Sequence, residues 1–289
     1  AIAEDGEDIW FGGWDSSRGR ARGITRYSPE SDGWKYFNSD EIMGLEDPRV
    51  TSILVDSTYI WFGTPAGLTR YSKPRDFWET FRMPRAAKGT IRALARSPNR
   101  VWMGTDRGLV VLDVRVDTLR VVVGSERFQI RDLDAGPEYL WAATGFGLYR
   151  CPLSDVVWKA VPVPRTLVGA GMNGVHATHG GVWATVESPG ALIGRANDRE
   201  EWQRHALSEA YGAARISLAA DTLNVWVGTE LGTFRFELES ELWTRYTRLD
   251  GLLSNRIQSL LLKDETVWFG TDRGLSRYRW TSDILGRNR

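Results

Sequence analysis

Histidines are the first residues of this chain that could do chemistry, because neutral imidazoles bind catalytic divalent metals. The sequence contains three: His176, His179 and His205. His176 and His179 lie three residues apart near a predicted β-strand, where alternation would place their side chains on opposite faces. That spacing is awkward for a metal pair and favours an ordinary turn or surface role. We therefore expect no metal site and nominate no catalytic residue.

Other motifs that carry chemistry are weak or missing. The stretch GAGMNG (169–174) matches the dinucleotide fingerprint Gly-x-Gly-x-x-Gly, which functions between a strand and a helix. Here it lies between two predicted strands, so we expect a flexible loop and no cofactor. The sequence has no nucleophile elbow, Walker, zinc-protease or calcium-loop pattern. Cys151 is the only cysteine, which excludes an internal disulfide and indicates a packed small residue.

Basic and acidic residues are balanced, with 37 of each and a formal net charge of zero. Nucleic acids and anionic membranes are usually bound through a strongly basic field, so we expect no nucleic-acid partner. No apolar stretch is long enough for a membrane-spanning helix. Of the basic residues, 32 are arginine and 5 are lysine, and guanidinium groups favour bidentate contacts with carboxylates and phosphates.

The elements that must position these residues follow from a short phrase that the chain repeats seven times. Each copy places one tryptophan in an apolar run, and successive tryptophans are 51, 41, 39, 42, 43 and 42 residues apart. The copies are IWFGG (9–13), IWFGT (60–64), VWMGT (101–105), LWAAT (140–144), VWATV (182–186), VWVGT (225–229) and VWFGT (267–271). A period of this length is typical of arrays of small supersecondary units.

Each copy predicts four strands, here called a to d. An apolar residue eight positions before the tryptophan marks strand a, and turn formers such as Asp56 and Ser57 separate it from strand b. Strand b holds the tryptophan and is continuously apolar, which indicates burial on both faces. A glycine such as Gly67 then predicts a tight turn with positive φ, and strand c follows, as in GLTRY (67–71).

A large apolar residue marks strand d and predicts a second buried layer. It lies 17 positions after the tryptophan in five copies, and usually an acidic residue precedes it by two. The residues at this position are Trp34, Trp78, Leu119, Trp158, Trp202, Trp243 and Leu285.

Four antiparallel strands in each of seven repeats predict an all-β chain, folded as a seven-bladed β-propeller. The last copy is among the most regular, which favours a closed ring over an open stack with atypical end repeats. We expect a single propeller domain over residues 1–289. Its blades are predicted at approximately 1–38, 39–82, 83–123, 124–162, 163–206, 207–247 and 248–289.

The segments 249–278 and 44–71 resemble the repeats of the two-component regulator propeller family. The positions that match the family pattern are Gly251, Leu252, Ile257, Asp264, Trp268, Gly270, Thr271, Gly274 and Leu275. The resemblance covers essentially the whole chain, although the copies at 140–144 and 182–186 lack the glycine. It implies a bacterial sensor-type propeller in the periplasm or outside the cell, with its leader removed. A looser resemblance to virginiamycin B lyase, a seven-bladed propeller that uses histidine and a divalent metal, implies an enzyme instead.

A binding site is expected on the rim, which we define as the edge formed by the b–c turns and the d–a connections. Loops on a rigid scaffold commonly carry function, and the first blade enlarges its b–c turn to GWDSSRGRAR (13–22). Arginines beside aromatic rings suit an anionic group or an acidic protein surface. The predicted binding residues are Trp14, Arg18, Arg20, Arg22, Arg49, Arg107, Phe146, Arg165, Arg256 and Arg273. The alternative is that these arginines are solvated or paired with the nearby Asp15, Asp47, Asp106 and Asp272.

Together these observations predict a non-catalytic extracytoplasmic binding scaffold that recognises a protein or a ligand through its rim loops. Two settings fit: the sensor module of a signalling system, and an extrinsic subunit docked on a larger membrane complex. A small anionic ligand is a further candidate partner. The alternative from another class is an enzyme, either a metal-dependent lyase or a carbohydrate-active propeller.

Overall fold

The computed structural model of the chain describes residues 1–15, 20–37, 42, 45–188, 190–196, 201–207, 217–263 and 265–279. At residues 14, 15 and 20–22 it describes the backbone. Regular structure in these ranges is β-strand apart from three short 3-10 turns at Arg85–Ala87, Arg165–Leu167 and Arg248–Asp250. The described ranges contain no helix that is long and apolar enough to cross a membrane.

Seven antiparallel sheets follow one another along the chain, each built from strands in sequence order. The first four sheets are β1 (Ile2–Asp5), β2 (Asp8–Asp15), β3 (Arg20–Ser28) and β4 (Gly33–Phe37); β5 (Ser52–Val55), β6 (Tyr59–Gly63), β7 (Leu68–Ser72) and β8 (Phe77–Phe81); β9 (Ile91–Ser97), β10 (Arg100–Thr105), β11 (Gly108–Asp113) and β12 (Thr118–Val121); β13 (Ile130–Ala135), β14 (Tyr139–Thr144), β15 (Gly147–Pro152) and β16 (Lys159–Ala160).

The last three sheets repeat the same order. They are β17 (Met172–Ala177), β18 (Gly181–Val186), β19 (Ala191–Ala196) and β20 (Gln203–Ala206); β21 (Ser217–Ala220), β22 (Asn224–Thr229), β23 (Gly232–Glu237) and β24 (Leu242–Tyr246); β25 (Ile257–Lys263), β26 (Thr266–Thr271) and β27 (Gly274–Arg279). The seventh sheet has three strands within the described residues, and Leu285 lies outside them. Seven successive sheets of this type define a seven-bladed β-propeller, which confirms the predicted fold class.

The chain divides into two compact units, Ala1–Ala177 and Thr178–Arg289. The division falls between β17 and β18, the first two strands of the fifth sheet. The first unit therefore contains the first four sheets and β17, and the second contains the remaining strands.

Within the first unit, successive sheets pack face to face through strand b. Trp102 of β10 is fully buried in the apolar cluster shared with the fourth sheet, whereas Val101 and Met103 are buried in the cluster shared with the second sheet. Neighbouring residues of one strand thus enter two different cores. This is why strand b is apolar without alternation, as predicted.

The glycine of the repeated phrase lets the next sheet approach closely. A Cβ atom on Gly104 would lie 2.5 Å from Cγ2 of Ile130 in β13. In the second unit, a Cβ atom on Gly228 would lie at the same 2.5 Å from Cγ2 of Ile257 in β25. A side chain of any size at these positions would overlap with the neighbouring strand, so the glycine is a packing residue.

Strand d is less buried than its large apolar residues predicted. Trp34 is 49% exposed. The corresponding residues Trp78, Leu119, Trp158, Trp202 and Trp243 are partly buried. Strand d is hydrogen-bonded to strand c alone, because it is the last strand of its sheet. Trp78, Leu119, Trp158 and Trp243 pack against the apolar cores, so the predicted second layer is present but only partly buried.

The acidic residue that precedes strand d has a backbone role. Four of these residues adopt the left-handed conformation in the c–d turn, with φ values of 47° for Asp32, 46° for Asp76, 49° for Asp117 and 57° for Glu241. Short polar side chains tolerate this conformation better than most others. The hydroxyl of Tyr71 also donates to the Asp76 carboxylate at 2.8 Å, which ties strand c to the turn.

Candidate binding rim

Five b–c turns are held by the threonine that ends the repeated phrase. Thr105 Oγ1 donates to the carbonyl oxygen of Gly108 at 2.9 Å and accepts the N–H of Arg107 at 3.0 Å. Gly108 has a φ of 111°, which a side chain would strain. The same threonine-to-glycine hydrogen bond recurs at Thr64, Thr144, Thr229 and Thr271. The two residues inside each turn are thus presented at a fixed place on the rim.

The d–a connections of the first unit are also anchored. The 3-10 turns Arg85–Ala87 and Arg165–Leu167 each follow a proline, bury their last residue and expose their first, an arginine. Between them, Ser125 fixes the connection 122–129, because its buried hydroxyl accepts the Leu109 N–H at 2.9 Å. The rim loops are therefore firm supports for their exposed side chains.

The enlarged turn of the first blade is a prolonged hairpin over its described residues. Strand β2 extends to Asp15 and β3 begins at Arg20, with a register shift between Gly13 and Trp14. Trp14, Arg20 and Arg22 lie in these two strands. Their side chains, like the whole of Arg18, lie outside the described residues, so their binding role stays a prediction.

Two of the predicted arginines are paired with the aspartates that precede or face them. Arg49 forms a salt bridge with Asp47, and hydrogen bonding from Arg49 lowers the pKa of the Asp47 carboxyl. In the second unit, Arg256 Nη1 lies 4.0 Å from Asp272 Oδ2. For these two arginines the alternative interpretation, pairing with a nearby carboxylate, fits the geometry.

Arg107 differs because the carboxylate beside it is already engaged. Asp106 accepts hydrogen bonds from Arg92 Nε at 2.5 Å and from Gln129 Nε2 at 3.2 Å. Partial burial acts to raise the pKa of Asp106, but these hydrogen bonds outweigh it and lower the pKa. The exposed guanidinium of Arg107 has no ion-pair partner in the part of the chain that the structure describes. Its charge is therefore open to a partner molecule.

Phe146 is an exposed aromatic ring with packed support beneath it. The side chain is 65% exposed in the fourth b–c turn, and its ring centroid lies 6.1 Å from that of Phe128 in an edge-to-face contact. Phe128 packs in turn on Tyr149 at 4.6 Å and on Trp158 at 6.0 Å. The fourth sheet thus holds the ring in place while most of its surface faces water.

Sequence reasoning missed several exposed side chains on the rim of the first unit. Val123 is 84% exposed and Val168 is 72% exposed. Each precedes a glycine with positive φ, Gly124 or Gly169, in a d–a connection. A valine before such a glycine, in a segment of turn formers, is the signal that would have identified them. Arg127, exposed in the same connection as Val123, was also missed.

From residue 82 to residue 171 the rim of the first unit is basic, although the whole chain is neutral. Within this range, the cationic residues on its turns and connections are Arg82, Arg85, Lys88, Arg107, Arg127 and Arg165, and the acidic ones are Asp106 and Glu126. The a–b and c–d turns of sheets two to four lie on the opposite edge and carry Lys73, Arg75 and Arg115 against Asp56, Asp76, Asp117, Glu138 and Asp155. The two edges of these sheets therefore have opposite charge.

The rim of the second unit carries exposed leucines. Leu249 is 98% exposed in the 3-10 turn Arg248–Asp250, which is held by a capping box between Thr247 and Asp250. Leu231 and Leu253 are partly exposed on a b–c turn and on the same connection as Leu249. The predicted residue Arg273 is exposed in the seventh b–c turn. Apolar and cationic side chains thus occur together on this rim as well.

The acidic residues of β13 form a polar cluster with His176 in β17. Asp132 accepts the Val175 N–H at 3.0 Å, and Asp134 accepts the Ala177 N–H at 2.9 Å and lies 3.0 Å from His176 Nδ1. Burial raises the pKa of Asp132 to about 7, against the hydrogen bond from Val175, which acts to lower it. Across the described ranges, His, Cys, Asp and Glu form no group of three or more that could hold a metal ion. The cluster links neighbouring strands through backbone N–H groups.

The remaining candidates from the sequence are packing residues. His205 in β20 lies with its ring 4.3 Å from Phe236, and burial lowers its pKa. Cys151 is fully buried, and this burial raises the pKa of its thiol to about 11, as suits a packed small residue. The stretch 169–174 runs directly into β17, so the Gly-x-Gly-x-x-Gly pattern lacks the helix that a dinucleotide site needs.

A cleft of about 630 Å³ lies on the edge opposite the rim, between the third and fourth sheets. Its walls include Pro98, Arg100, Tyr139 and Pro152. Arg100 donates to the carbonyl oxygen of Leu153 at 3.0 Å, so its guanidinium is committed to the fold. The other charged residues that line the cleft, Arg115 and Glu138, carry opposite charges.

Comparison with known proteins supports the fold class. No known family model and no curated protein matches this sequence. Among solved structures, the extracellular domain of BT4673 from B. thetaiotaomicron, described both as a one-component and as a hybrid two-component system, is 21% identical with a TM-score of 0.76. That match covers 100% of this chain and 40% of the BT4673 chain, so this chain spans less than half the length of that protein.

Two further solved structures share the fold at lower identity. Virginiamycin B lyase from Staphylococcus aureus is 12% identical with a TM-score of 0.73, over 95% of this chain and 92% of the lyase. PorZ, a surface component of the type-IX secretion system of Porphyromonas gingivalis, is 14% identical with a TM-score of 0.68, over 96% of this chain and 36% of PorZ. Identities this low show a common fold and leave function to be argued from the site.

Proposed function

We propose that this chain is a non-catalytic binding scaffold that recognises an anionic or acidic partner through its rim. The observation that carries the proposal is the basic part of the first unit's rim, residues 82–171, where exposed Arg107 and Arg127 accompany the exposed ring of Phe146. Arginine and aromatic side chains on a firm support are typical of binding hot spots. The residues of the repeated phrase are largely buried, so they supply the scaffold and leave recognition to the rim.

The setting that we propose is outside the cytoplasm of a bacterium, either as a sensor module or as an extrinsic subunit of a membrane complex. The resemblance of the repeats to the two-component regulator propeller family supports it. So does the shared fold with the extracellular domain of BT4673 and with the surface component PorZ. Protein subunits are the partners that we expect first, and a small anionic ligand is the second candidate.

Comparing two matched variants during purification from the source organism tests the proposal. The rim variant combines Arg107→Ser with Phe146→Ser, and the control variant combines Arg75→Ser with Phe77→Ser on the opposite edge, where both side chains are also exposed. We expect the rim variant to lose its specific partner by about tenfold or more, and the control to retain it. Equal recovery of the partner with both variants would refute a rim site.

A native mass measurement on material purified from its source separates the two settings. An extrinsic subunit should appear in a complex of constant stoichiometry. A sensor module should appear without such a complex, and a small ligand should raise its melting temperature, because a ligand that binds the folded state stabilises it.

The first-blade hairpin belongs to the same proposal. Trp14→Ala combined with Arg20→Ala should weaken partner binding, measured by pull-down or calorimetry, since both residues lie in the strands of the prolonged hairpin. Unchanged affinity would remove this hairpin from the site and leave the rest of the rim proposal intact.

A further inference from the structure

We propose that the occupant of the rim is an acidic protein segment with at least one apolar side chain, bound across the third and fourth sheets of the first unit. The receiving surface, which we call the Phe146 surface, consists of Arg107, Val123, Arg127 and Phe146. The inference rests on the proposed function and adds the chemistry and the position of the partner.

The Phe146 surface is continuous because the loops that carry it touch one another. Gln129 of the connection 122–129 donates to Asp106 in the third b–c turn at 3.2 Å. On its other side, the same connection places the Phe128 ring 6.1 Å from that of Phe146. Val123 and Arg127 lie on this connection, between the turn that carries Arg107 and the turn that carries Phe146. The three loops that carry the four side chains are therefore linked to one another by direct contacts.

The charge of the surface favours carboxylates on the partner. Arg107 and Arg127 form no ion pair within the described residues. The two acids nearby are already engaged, since Asp106 pairs with Arg92 and Glu126 accepts the N–H of Gly124 at 2.8 Å. Guanidinium groups that have no ion-pair partner bind carboxylates through short charge-assisted hydrogen bonds. With three cationic side chains (Arg92, Arg107 and Arg127) against two acidic ones (Asp106 and Glu126), the site has a net positive charge.

The exposed apolar side chains of the Phe146 surface favour a peptide over a nucleic acid as the anionic partner. Val123 and Phe146 are 84% and 65% exposed, and they lie on loops fixed by Ser125 and by Thr144. Removing these side chains from water is favourable only if the partner covers them with apolar groups. On the partner, those apolar groups must lie within a few residues of its carboxylates. A nucleic acid could stack a base on Phe146, but the aliphatic side chain of Val123 offers no ring for stacking. A peptide segment supplies both apolar groups and carboxylates.

Selecting peptides from a random phage-displayed library on the full chain tests this inference. We expect the enriched peptides to contain Asp or Glu in excess, with an aromatic or aliphatic residue among them. Binding of a selected peptide, measured by fluorescence anisotropy, should weaken by about tenfold in Phe146→Ser and in Arg107→Glu. Arg75→Glu and Phe77→Ser, on the opposite edge, should leave the affinity unchanged. Thermal melting of each variant confirms that it is folded.

Two results would overturn the inference while leaving the proposed function standing. One is that the rim variant loses its natural partner although the enriched peptides lack acidic residues or fail to compete for the Phe146 surface. The other is that the wild-type chain binds phosphatidylglycerol vesicles or single-stranded oligonucleotides through these residues more strongly than any peptide. If the rim variant keeps its natural partner and no peptide binds the rim, both the inference and the proposed function fail.

Discussion

An arginine is the cross-strand neighbour of the repeated tryptophan in most sheets. Arg70 faces Trp61 with its guanidinium carbon 5.3 Å from the ring centroid, and Arg235 faces Trp226 at 5.9 Å. The same pairing joins Trp10 to Arg26, Trp141 to Arg150 and Trp268 to Arg277. A cation over an indole ring is attracted to its electron-rich face, and the arginine stem covers the ring. The arginine of phrases such as GLTRY is thus a packing residue, distinct from the arginines of the rim.

Trp226 gives the most direct test of packing at this scale. The side chain is fully buried between the sixth and seventh sheets, so Trp226→Ala should leave a cavity. We expect the free energy of unfolding to fall by about 3–5 kcal/mol in urea denaturation. Trp34→Ala, at a tryptophan that is 49% exposed, is the control and should cost clearly less. A loss below about 1 kcal/mol for Trp226→Ala would contradict its packing role.

The raised pKa of Asp132 predicts that the folded chain becomes less stable as the pH rises. Burial raises its folded-state pKa to about 7, above the ordinary value of about 4 in an unfolded chain, so folding takes up a proton between these values. The stabilising contribution is therefore present at low pH and is lost as the pH rises through about 7. The wild-type chain should melt higher at about pH 6 than at about pH 8, and Asp132→Asn should show a smaller difference. Both proteins retain Asp134 and His176, so equal differences would contradict the assignment to Asp132.

Strands a, b and c were predictable because their constraints are local or repeated. Strand b is apolar on both faces wherever two sheets enclose it, and Gly108-type glycines mark turns that need positive φ. The burial of strand d was overestimated. It depends on how much of the neighbouring sheet covers the strand, and the sequence of one repeat does not determine that coverage. The left-handed Asp76 was also unforeseen, since aspartate adopts that conformation in some turns and helical or extended conformations elsewhere.

Because neighbouring sheets approach closely at the glycine of strand b, replacing that glycine even by alanine should destabilise the fold. Gly104→Ala would place a methyl group 2.5 Å from Ile130 Cγ2, so neighbouring strands would have to separate. We expect a loss of about 1–3 kcal/mol in the free energy of unfolding, measured in urea. Gly89→Ala is the matched control, because a methyl group there would meet its nearest atom at an ordinary 3.4 Å. Similar losses for the two variants would show that close approach is not what Gly104 provides.

At the scale of the whole molecule, a net charge of zero conceals an uneven distribution. Between residues 82 and 171 the rim of the first unit is basic, and the opposite edge of sheets two to four is acidic, so the net charge of the whole chain says little about either. Arg107 and Phe146 were predictable as rim residues because topology alone places the b–c turns there. Val123 was marked only by the glycine that follows it, and Arg127 by no local signal, because connections between sheets differ in length and in which side chains they bury. The pairing of Arg49 with Asp47 is local and was one of the two interpretations that the sequence offered. Arg107 differs because Arg92, 14 residues from Asp106 in sequence, engages that carboxylate.

The most direct test of the account is hydrogen–deuterium exchange on the complex recovered with its natural partner, compared with the chain alone. A binding function located on the rim predicts slower exchange in the segments 82–90, 105–108, 122–129 and 145–147. It predicts little change in the c–d turns 73–76 and 114–117 on the opposite edge. Protection confined to those c–d turns, or to the strands of the repeated phrase, would contradict the claim that recognition belongs to the rim.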